Sequence, residues 1–296
     1  KKSLSIMRKY KLAFIIEKYF IFGGLQRDMR KLAIACSQAG HEVTVFTGEW
    51  NGPAETLFQI ELVDFKASCN HKTIKNVELF VRRLRTKNVF DCIVGFNRMD
   101  GLDVYFGGDP CLKARLRRKK QLFRRFLPRY RTYLKQEQAV FSPSSRTDIM
   151  LLSPVEMEYY QQEYKTPSQR LHLLPPGIDI DRLTKNREQD TGQTAFRSEL
   201  GISQDDLVVL TVGSSFKTKG IDRVINAIAS LPDPIKKRCR YVVVGIGNIE
   251  KFKAIAKKMG IQEQVIFTGG REDIADFYHA ADILVHPART ENTGTT

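Results

Sequence analysis

The chain has 296 residues, of which 42% are apolar, and it carries a formal net charge of +15. Because compact domains usually contain about 100 to 200 residues, this length excludes a single core and predicts two domains. The positive charge predicts a polyanionic partner; nucleic acid, an anionic membrane surface and a phosphorylated substrate all satisfy it.

Cysteine usage and hydropathy exclude further classes. The five cysteines are widely spaced without a C-x-x-C pair: Cys36, Cys69, Cys92, Cys111 and Cys239. This pattern indicates neither a disulfide framework nor a zinc site, and it favours the reducing cytosol. No apolar stretch approaches the roughly 20 residues of a membrane span, and the start lacks the apolar core of a secretory signal. Because residue 1 is not Met, we expect the natural chain to start at Met7.

The first half of the chain alternates strands and helices. A buried strand KLAFII from Lys11 precedes a glycine loop, a helix over 25–39 that Gly40 ends, and a β-branched strand over 41–47. The later predicted elements are strands over 57–65, 90–96, 103–106, 148–153 and 170–177, and helices over 74–87 and 154–165.

The second half repeats this alternation after a polar interruption. Residues 179–204 are rich in charge and poor in apolar side chains, which predicts a hinge between an N-terminal domain, 7–178, and a C-terminal domain, 205–296. The predicted elements beyond it are strands over 207–213, 241–247, 265–270 and 282–288, and helices over 219–231, 250–259 and 272–281. The fold class is therefore α/β, with two doubly wound Rossmann-like domains facing each other. The second domain stops where a further helix is due, so we expect it to be incomplete.

Two loops have the composition of phosphate sites. IFGGLQRD places Gly23 and Gly24 at a helix N-terminus, where backbone N–H groups favour an anion, although a plain turn fits equally well. It matches neither G-x-G-x-x-G nor the P-loop. In GSSFKTKG, Lys217 and Lys219 lie near the start of the next helix, where cations are unfavourable unless an anionic ligand is bound. Two solvated lysines are the alternative.

The remaining polar motifs carry less information. Glu291 follows the last strand and offers a carboxylate beside small residues. Asp179 and Asp181 form a D-x-D, but their place in the predicted hinge argues against a metal site. His286 in DILVHPA is interpreted as a packed strand-end residue rather than a ligand. No metal and no cofactor are predicted.

Residues 111–135 contain the densest charge in the chain. Eleven Lys or Arg lie between Lys113 and Lys135, with no Asp or Glu. Apolar side chains recur at near-helical spacing, at Leu116, Phe123, Phe126, Leu127, Tyr130 and Leu134. The pattern predicts a helix that lies on an anionic bilayer; nucleic-acid binding and a plain basic surface are the alternatives. The predicted membrane-surface cations are Arg117, Arg118, Lys119, Lys120, Arg124, Arg125, Arg129 and Arg131.

Six stretches together resemble the retaining glycosyltransferases of family four, which have the two-domain GT-B fold. They are KYFIFGGLQRD, VGFNRMDGLDVYFGGDPC, LLPPGID, VGSSFKTKGIDR, GREDI and AADILVHPA. Within this family the chain is most similar to the glucosyltransferases that add glucose to the first heptose of the lipopolysaccharide inner core.

The resemblance implies an activity, partners and a location. A UDP-hexose, UDP-glucose first, would be the donor, used without metal and with retention at the anomeric carbon. The acceptor would be lipopolysaccharide core, and the enzyme would bind anionic lipid on the cytoplasmic face of the bacterial inner membrane, with no nucleic acid. A catalytically inactive peripheral membrane or anionic-polymer binding protein of the same fold is the alternative.

The resemblance also implies residue roles. In the first domain, Gly23 and Gly24 would approach the donor diphosphate, while Asp28 and Asp109 would face the acceptor and the reacting centre. In the second, Lys219 and Arg182 would neutralise the diphosphate, and Glu291 would bind sugar hydroxyls. The remaining implied donor contacts are Lys217, Arg271 through its main chain, Thr293, Gly294 and Thr295.

Two departures from the family pattern affect the donor site. Thr218 stands where relatives tend to carry Arg, and Lys217 is expected to compensate. The second glutamate of the E-x7-E motif would fall three residues beyond Thr296, so this stretch of chain alone is expected to bind the donor poorly.

Overall fold

A computed structural model describes residues 8–175, 177 and 190–291. It divides the chain into two compact units, residues 1–176 and 177–296, so the boundary lies close to the predicted end of the first domain. None of the helices described is long and apolar enough to cross a membrane.

The first unit contains the elements β1 (Lys11–Ile16), β2 (Tyr19–Phe20), α1 (Gly24–Gln38), β3 (Glu42–Thr47), β4 (Trp50–Asn51), β5 (Gln59–Leu62), α2 (Asn70–Lys87), β6 (Cys92–Gly95), β7 (Val104–Gly107), α3 (Leu112–Arg118), α4 (Pro128–Phe141), β8 (Asp148–Leu151), α5 (Pro154–Tyr164) and β9 (Leu171–Leu173). Its strands form a seven-stranded parallel sheet with the order β5-β3-β1-β6-β7-β8-β9, and a separate pair, β2 and β4.

The central strand β1 shows why this sequence forms a sheet with two covered faces. Ala13 and Ile15 belong to one hydrophobic cluster, whereas Phe14 and Ile16 belong to another. Successive side chains of a strand point to opposite faces, so a continuous apolar run indicates burial on both. All four residues are at most 1% exposed. The predicted doubly wound α/β fold is confirmed.

The strand order reverses direction beside β1. Strands β3 and β5 lie on one side of it, and β6 to β9 follow on the other, so β1 and β6 flank a topological switch point. In open parallel sheets, ligands bind outside the carboxyl ends of the strands at such a point. The loops after β1 and β6 are therefore the first place to search for function.

The second unit contains the elements α6 (Asp190–Glu199), β10 (Leu207–Val212), α7 (Phe216–Lys219), α8 (Ile221–Ala229), α9 (Asp233–Arg238), β11 (Cys239–Val244), α10 (Ile249–Lys258), β12 (Val265–Gly269), α11 (Ile274–Ala280) and β13 (Ile283–Leu284). Its strands form a four-stranded parallel sheet of order β12-β11-β10-β13. The switch point of this sheet lies between β10 and β13.

The predicted linker over 179–204 is wrong for its second half. Residues 190–199 form α6, which packs on the second unit through Phe196 and Phe277, whose ring centroids are 4.8 Å apart. Arg197 is only 4% exposed, and its buried charge is compensated because it donates to Ala280 O at 2.9 Å and to both carboxylate oxygens of Asp282 at 3.0 Å. The composition of this segment predicts a solvated arginine, but the structure buries it, where it anchors α6 to the second unit.

The basic segment of residues 111–135 is not the single helix that its spacing predicts. After α3 the backbone turns at Lys120, whose φ is 51°, and residues Leu122–Phe126 form a 3-10 helix before Pro128 begins α4. Leu116 is 4% exposed and lies in the interior. The predicted apolar stripe is therefore divided between the core and the surface.

Candidate functional site

The loop after β10 makes two sharp turns at the switch point of the second unit. Gly213 and Ser215 have φ of 146° and 62°, and Gly220, at 77°, separates the one-turn helix α7 from α8. A side chain at Gly220 would lie 2.3 Å from the carbonyl oxygen of Pro287, so only glycine permits this approach. The loop after β10 therefore packs directly on the loop after β13.

Three polar side chains meet between these loops. The Nζ of Lys219 lies 2.5 Å from Oε2 of Glu291, and Nε2 of His286 lies 2.8 Å from the same oxygen. The lysine stem passes over Gly213, where an added Cβ would be 2.9 Å from Lys219 Cε. The Lys219 and His286 side chains are each 19% exposed and that of Glu291 is 29% exposed. A cation, a carboxylate and an imidazole thus lie together, still open to solvent.

Arg289 fixes the spacing of the two loops. Its guanidinium donates to both carboxylate oxygens of Asp222 at 2.8 and 2.6 Å and to Lys217 O at 2.8 Å. Its backbone N–H donates to Thr218 O at 2.8 Å. The hydrogen bond from Arg289 lowers the pKa of the Asp222 carboxyl below its ordinary value. The loop that carries Lys219 is therefore tied to the loop that carries Glu291.

The other predicted residues of the second unit are less closely grouped. Lys217 is exposed, and the lysine paired with Glu291 is Lys219. The Arg271 side chain donates to both oxygens of Asp273, at 2.8 and 2.5 Å, which leaves its main chain for other contacts. Arg182, Thr293, Gly294 and Thr295, with Asp179 and Asp181, lie outside the described residues. Within 8–175, 177 and 190–291, no group of three or more His, Cys, Asp or Glu could hold a metal ion.

The glycine loop of the first unit begins the 15-residue helix α1 after β1. Gly23 is the N-cap, and across the described residues no side chain caps this end and no acidic residue occupies the first turn. A side chain at Gly23 would come within 1.9 Å of Gln26 Oε1, whereas the space beside Gly24 is open to 4 Å. The exposed N–H groups of a long helix favour an anion at this position.

The two candidate aspartates of the first unit differ in environment. Asp28 lies in the second turn of α1, where Oδ1 is 3.5 Å from Nε of Arg27. Asp109 follows β7, has a side chain 62% exposed, and lies 3.9 Å from Arg98. The preceding Gly108 packs on Leu25 of α1, since an added Cβ would be 3.0 Å from Leu25 Cδ1. The structure thus brings the Asp109 loop against the first turn of α1.

A buried network, absent from the sequence analysis, holds the Asp109 loop. Arg98 donates to Pro110 O at 2.9 Å and pairs with Glu137, which is fully buried. Glu137 also accepts from the N–H groups of Leu112 and Lys113 at 2.8 and 3.0 Å, and from Tyr164 OH at 2.7 Å. No local motif links these residues; the one available signal was that Glu137 is the first acid after an acid-free stretch.

Glu17 and Asn97 are further residues that the sequence analysis missed. Each follows a strand at the switch point, and the N–H of Glu17 donates to Asn97 Oδ1 at 2.9 Å. Burial raises the pKa of the Glu17 carboxyl, and the charge of Lys18 opposes this only in part. Their position, one residue after β1 and two residues after β6, was the signal that could have identified them.

The described structure exposes an apolar patch within the basic segment. Its members are Leu122, Phe123, Phe126 and Leu127, which are 46%, 64%, 68% and 49% exposed. Of the predicted membrane-surface cations, Arg117 pairs with Glu163 at 2.9 Å. Arg118, Arg124, Arg125 and Arg129 each lie 4.8 to 5.8 Å from the centre of an aromatic ring. Lys119, Lys120 and Arg131 are exposed, so cations and the apolar patch occupy the same short segment.

Comparison with known proteins identifies the family. The family model described as glycosyl transferases group 1 matches residues 192–296. The lipopolysaccharide glucosyltransferase WaaG of Escherichia coli strain K12 is 38% identical over 284 residues, 96% of this chain and 75% of that protein. The chain belongs to the group 1 glycosyltransferases.

Solved structures agree with this assignment. The crystal structure of WaaG, a glycosyltransferase involved in lipopolysaccharide biosynthesis, matches this glycosyltransferase with a TM-score of 0.90 and 37% identity, over 95% of this chain and 76% of that chain. HepE of Anabaena, in complex with UDP and glucose, matches with a TM-score of 0.68 and 14% identity, over 96% and 75%. The latter likeness concerns the fold alone, and the predicted GT-B fold is confirmed.

Proposed function

We propose that this glycosyltransferase moves glucose from UDP-glucose to the first heptose of the lipopolysaccharide inner core, with retention at the anomeric carbon. The observation that carries the proposal is the meeting of Lys219, Glu291 and His286 at the switch point of the second unit. The similarity to a lipopolysaccharide glucosyltransferase over 96% of the chain supports the substrate class and disfavours the inactive binding protein.

Lys219 is the residue that neutralises the donor diphosphate. Without a ligand its ammonium group pairs with Glu291, so the two charges are compensated. A diphosphate carries more negative charge than one carboxylate and competes for the same ammonium group. As Lys219 turns to the phosphates, Glu291 becomes available to accept hydrogen bonds from sugar hydroxyls. Charge that develops on the departing UDP is then stabilised by a cation already in place.

The first unit supplies the acceptor side. The backbone N–H groups at Gly23 and Gly24 begin a helix and favour a phosphate oxygen. Asp109 is the better candidate for assisting the acceptor hydroxyl, because its carboxylate is 62% exposed. Asp28 lies beside Arg27 on α1 and acts by orienting the acceptor rather than by taking its proton.

The apolar patch and its cations bind the enzyme to the cytoplasmic face of the inner membrane, where a lipid-anchored acceptor is found. Four exposed apolar side chains next to basic residues fit the boundary between headgroups and acyl chains. Each Lys or Arg near an anionic surface contributes about 1 kcal/mol, so a few of them give reversible attachment. Nucleic acid would use the cations but would leave the apolar patch exposed.

A transfer assay with paired substrates tests the activity. The full-length protein is incubated with radiolabelled UDP-glucose and an inner core that ends in the first heptose. The matched control is the same core already glucosylated on that heptose. We expect label in the first product only, and UDP-galactose to be a poorer donor. If no glucose is transferred and no UDP is released, the enzyme proposal is wrong.

A further inference from the structure

We infer that His286 is a positioning residue that holds Glu291 in its donor-binding orientation. The inference rests on the proposed function, because it concerns the same donor site. It starts from a hydrogen bond that a packed strand-end histidine does not need: Nε2 lies 2.8 Å from Oε2 of Glu291. His286 follows β13 and Glu291 lies five residues further on, so the imidazole is fixed to the sheet and the carboxylate lies on the loop.

The environment of the imidazole fixes which nitrogen donates to Glu291. Nδ1 is buried, and the described residues offer it no hydrogen-bond partner. An ionised carboxylate can only accept, so the ring must carry a proton on Nε2 to bond Glu291. Nε2–H is therefore the donor that holds Glu291.

The arrangement matters because Lys219 and His286 bind the same oxygen of Glu291. When Lys219 turns to the diphosphate, the carboxylate loses one of the groups that orient it. The backbone of His286 stays in place, because the N–H of the preceding Val285 donates to Leu210 O at 2.8 Å and ties this segment to β10. The imidazole thus keeps the carboxylate directed at the sugar hydroxyls after the lysine has left. A carboxylate without this restraint would adopt several orientations, and few of them would bind the sugar.

Two substitutions separate positioning from packing. His286→Leu fills a similar volume without a donor, whereas His286→Gln keeps an N–H group. We expect Leu to lower kcat/KM for UDP-glucose by about 10- to 100-fold, and Gln to stay within about threefold of wild type, because the bond is made to a charged group. His279→Gln, on α11 of the same unit, is the matched control, with activity close to wild type. Circular dichroism and thermal midpoints verify that all three variants fold.

A double-mutant cycle makes the test specific to Glu291. If His286 acts through that carboxylate, adding His286→Leu to Glu291→Gln should cost less than about threefold in kcat/KM. If the loss of kcat/KM in the double variant equals the product of the two single losses, the inference is wrong. It is also wrong if His286→Leu stays close to wild type while His286→Gln is impaired, as packing would predict, or if both variants lose the same activity. If wild-type protein transfers no glucose, the proposed function fails instead; an active wild type with the packing order overturns only the role of His286.

Discussion

Lys219 and Glu291 are 72 positions apart in the chain, yet Nζ of the lysine lies 2.5 Å from Oε2 of the glutamate. They meet because β10 and β13 are neighbours in the sheet although two other strands separate them in sequence. This is the geometry of a switch point, where loops from distant parts of the chain converge. In the proposed donor site, this pair would keep the two charges compensated until a more negative ligand binds the lysine.

The first prediction concerns the two lysines of the loop after β10. Lys219→Ala should lower kcat/KM for UDP-glucose by about 100- to 1,000-fold, as expected when a group that stabilises developing charge is removed. Lys217→Ala is the comparison in the same loop: Lys219 is the lysine paired with Glu291, so the compensation that the family pattern predicts for Lys217 should amount to less than about threefold. Steady-state kinetics of UDP release measure both. Equal losses would show that the loop acts only through its total charge.

The second prediction separates the two aspartates of the first unit. Asp109→Asn should lower kcat by about 100- to 10,000-fold, the usual contribution of a general base, and leave the affinity for UDP-glucose unchanged. Asp28→Asn should mainly raise KM for the acceptor. Calorimetric titration of the donor, together with acceptor kinetics, distinguishes these results. A larger kcat effect at Asp28 would reverse the assignment.

The third prediction concerns the apolar patch. Replacing both Phe123 and Phe126 with Ser should weaken binding to anionic vesicles at least tenfold, since each buried Phe contributes about 1.5–3 kcal/mol. Leu79→Ser is the control, because Leu79 on α2 is 51% exposed but lies outside the basic segment. Flotation with anionic and with zwitterionic vesicles provides the measurement. If wild-type protein binds neither kind of vesicle, and the double variant binds DNA as tightly as wild type does, a membrane role is excluded.

The fourth prediction is a pH dependence at the switch point of the first unit. Burial raises the folded-state pKa of Glu17 above its ordinary value of 4.5, so a cost to folding begins as the pH rises past 4.5 and is complete above the folded pKa. Below pH 4.5 the group is protonated in both states, and this cost is absent. Glu17→Gln should therefore increase the urea midpoint of the first unit at pH 7, and the gain should vanish as the pH falls to 4.5.

Fluorescence of Trp50, the single tryptophan, reports unfolding of the first unit. The control is Glu158→Gln, the same exchange at an exposed position on α5 of the same unit. A gain that persists unchanged at pH 4.5 would show that Gln improves packing rather than removing a charge.

Much of the fold was predictable because its strands are continuous apolar runs. Ala13 to Ile16 are buried on both faces of the sheet, and a short continuous apolar run of this kind is compatible with few structures. The prediction failed where charged side chains are buried. Arg197 reads as solvated in a polar linker, but backbone carbonyls and Asp282 satisfy its guanidinium. The carboxylates that organise the start of the basic segment, Glu137 and Glu163, follow the acid-free stretch 111–135, so the composition of that stretch does not reveal them.

The candidate site was predictable only in part. Position after a strand identified the loops of Gly23 and Lys219, and the family resemblance added Glu291. His286 was read as packing because one histidine in an apolar strand has no spacing signature. Its role depends on a hydrogen bond to a residue on the following loop, which only the structure reveals. Arg98 and Asn97 were missed for the same reason.

The anomeric configuration of the product directly tests whether this protein is a retaining glucosyltransferase whose donor site contains Lys219. UDP-glucose carries an α linkage, so retaining transfer at the Lys219 site should give an α-glucoside on the first heptose. Nuclear magnetic resonance of the isolated core oligosaccharide should show this linkage with wild-type protein and almost none with Lys219→Ala. A β-glucoside, or undiminished α-glucoside formation by Lys219→Ala, would contradict it.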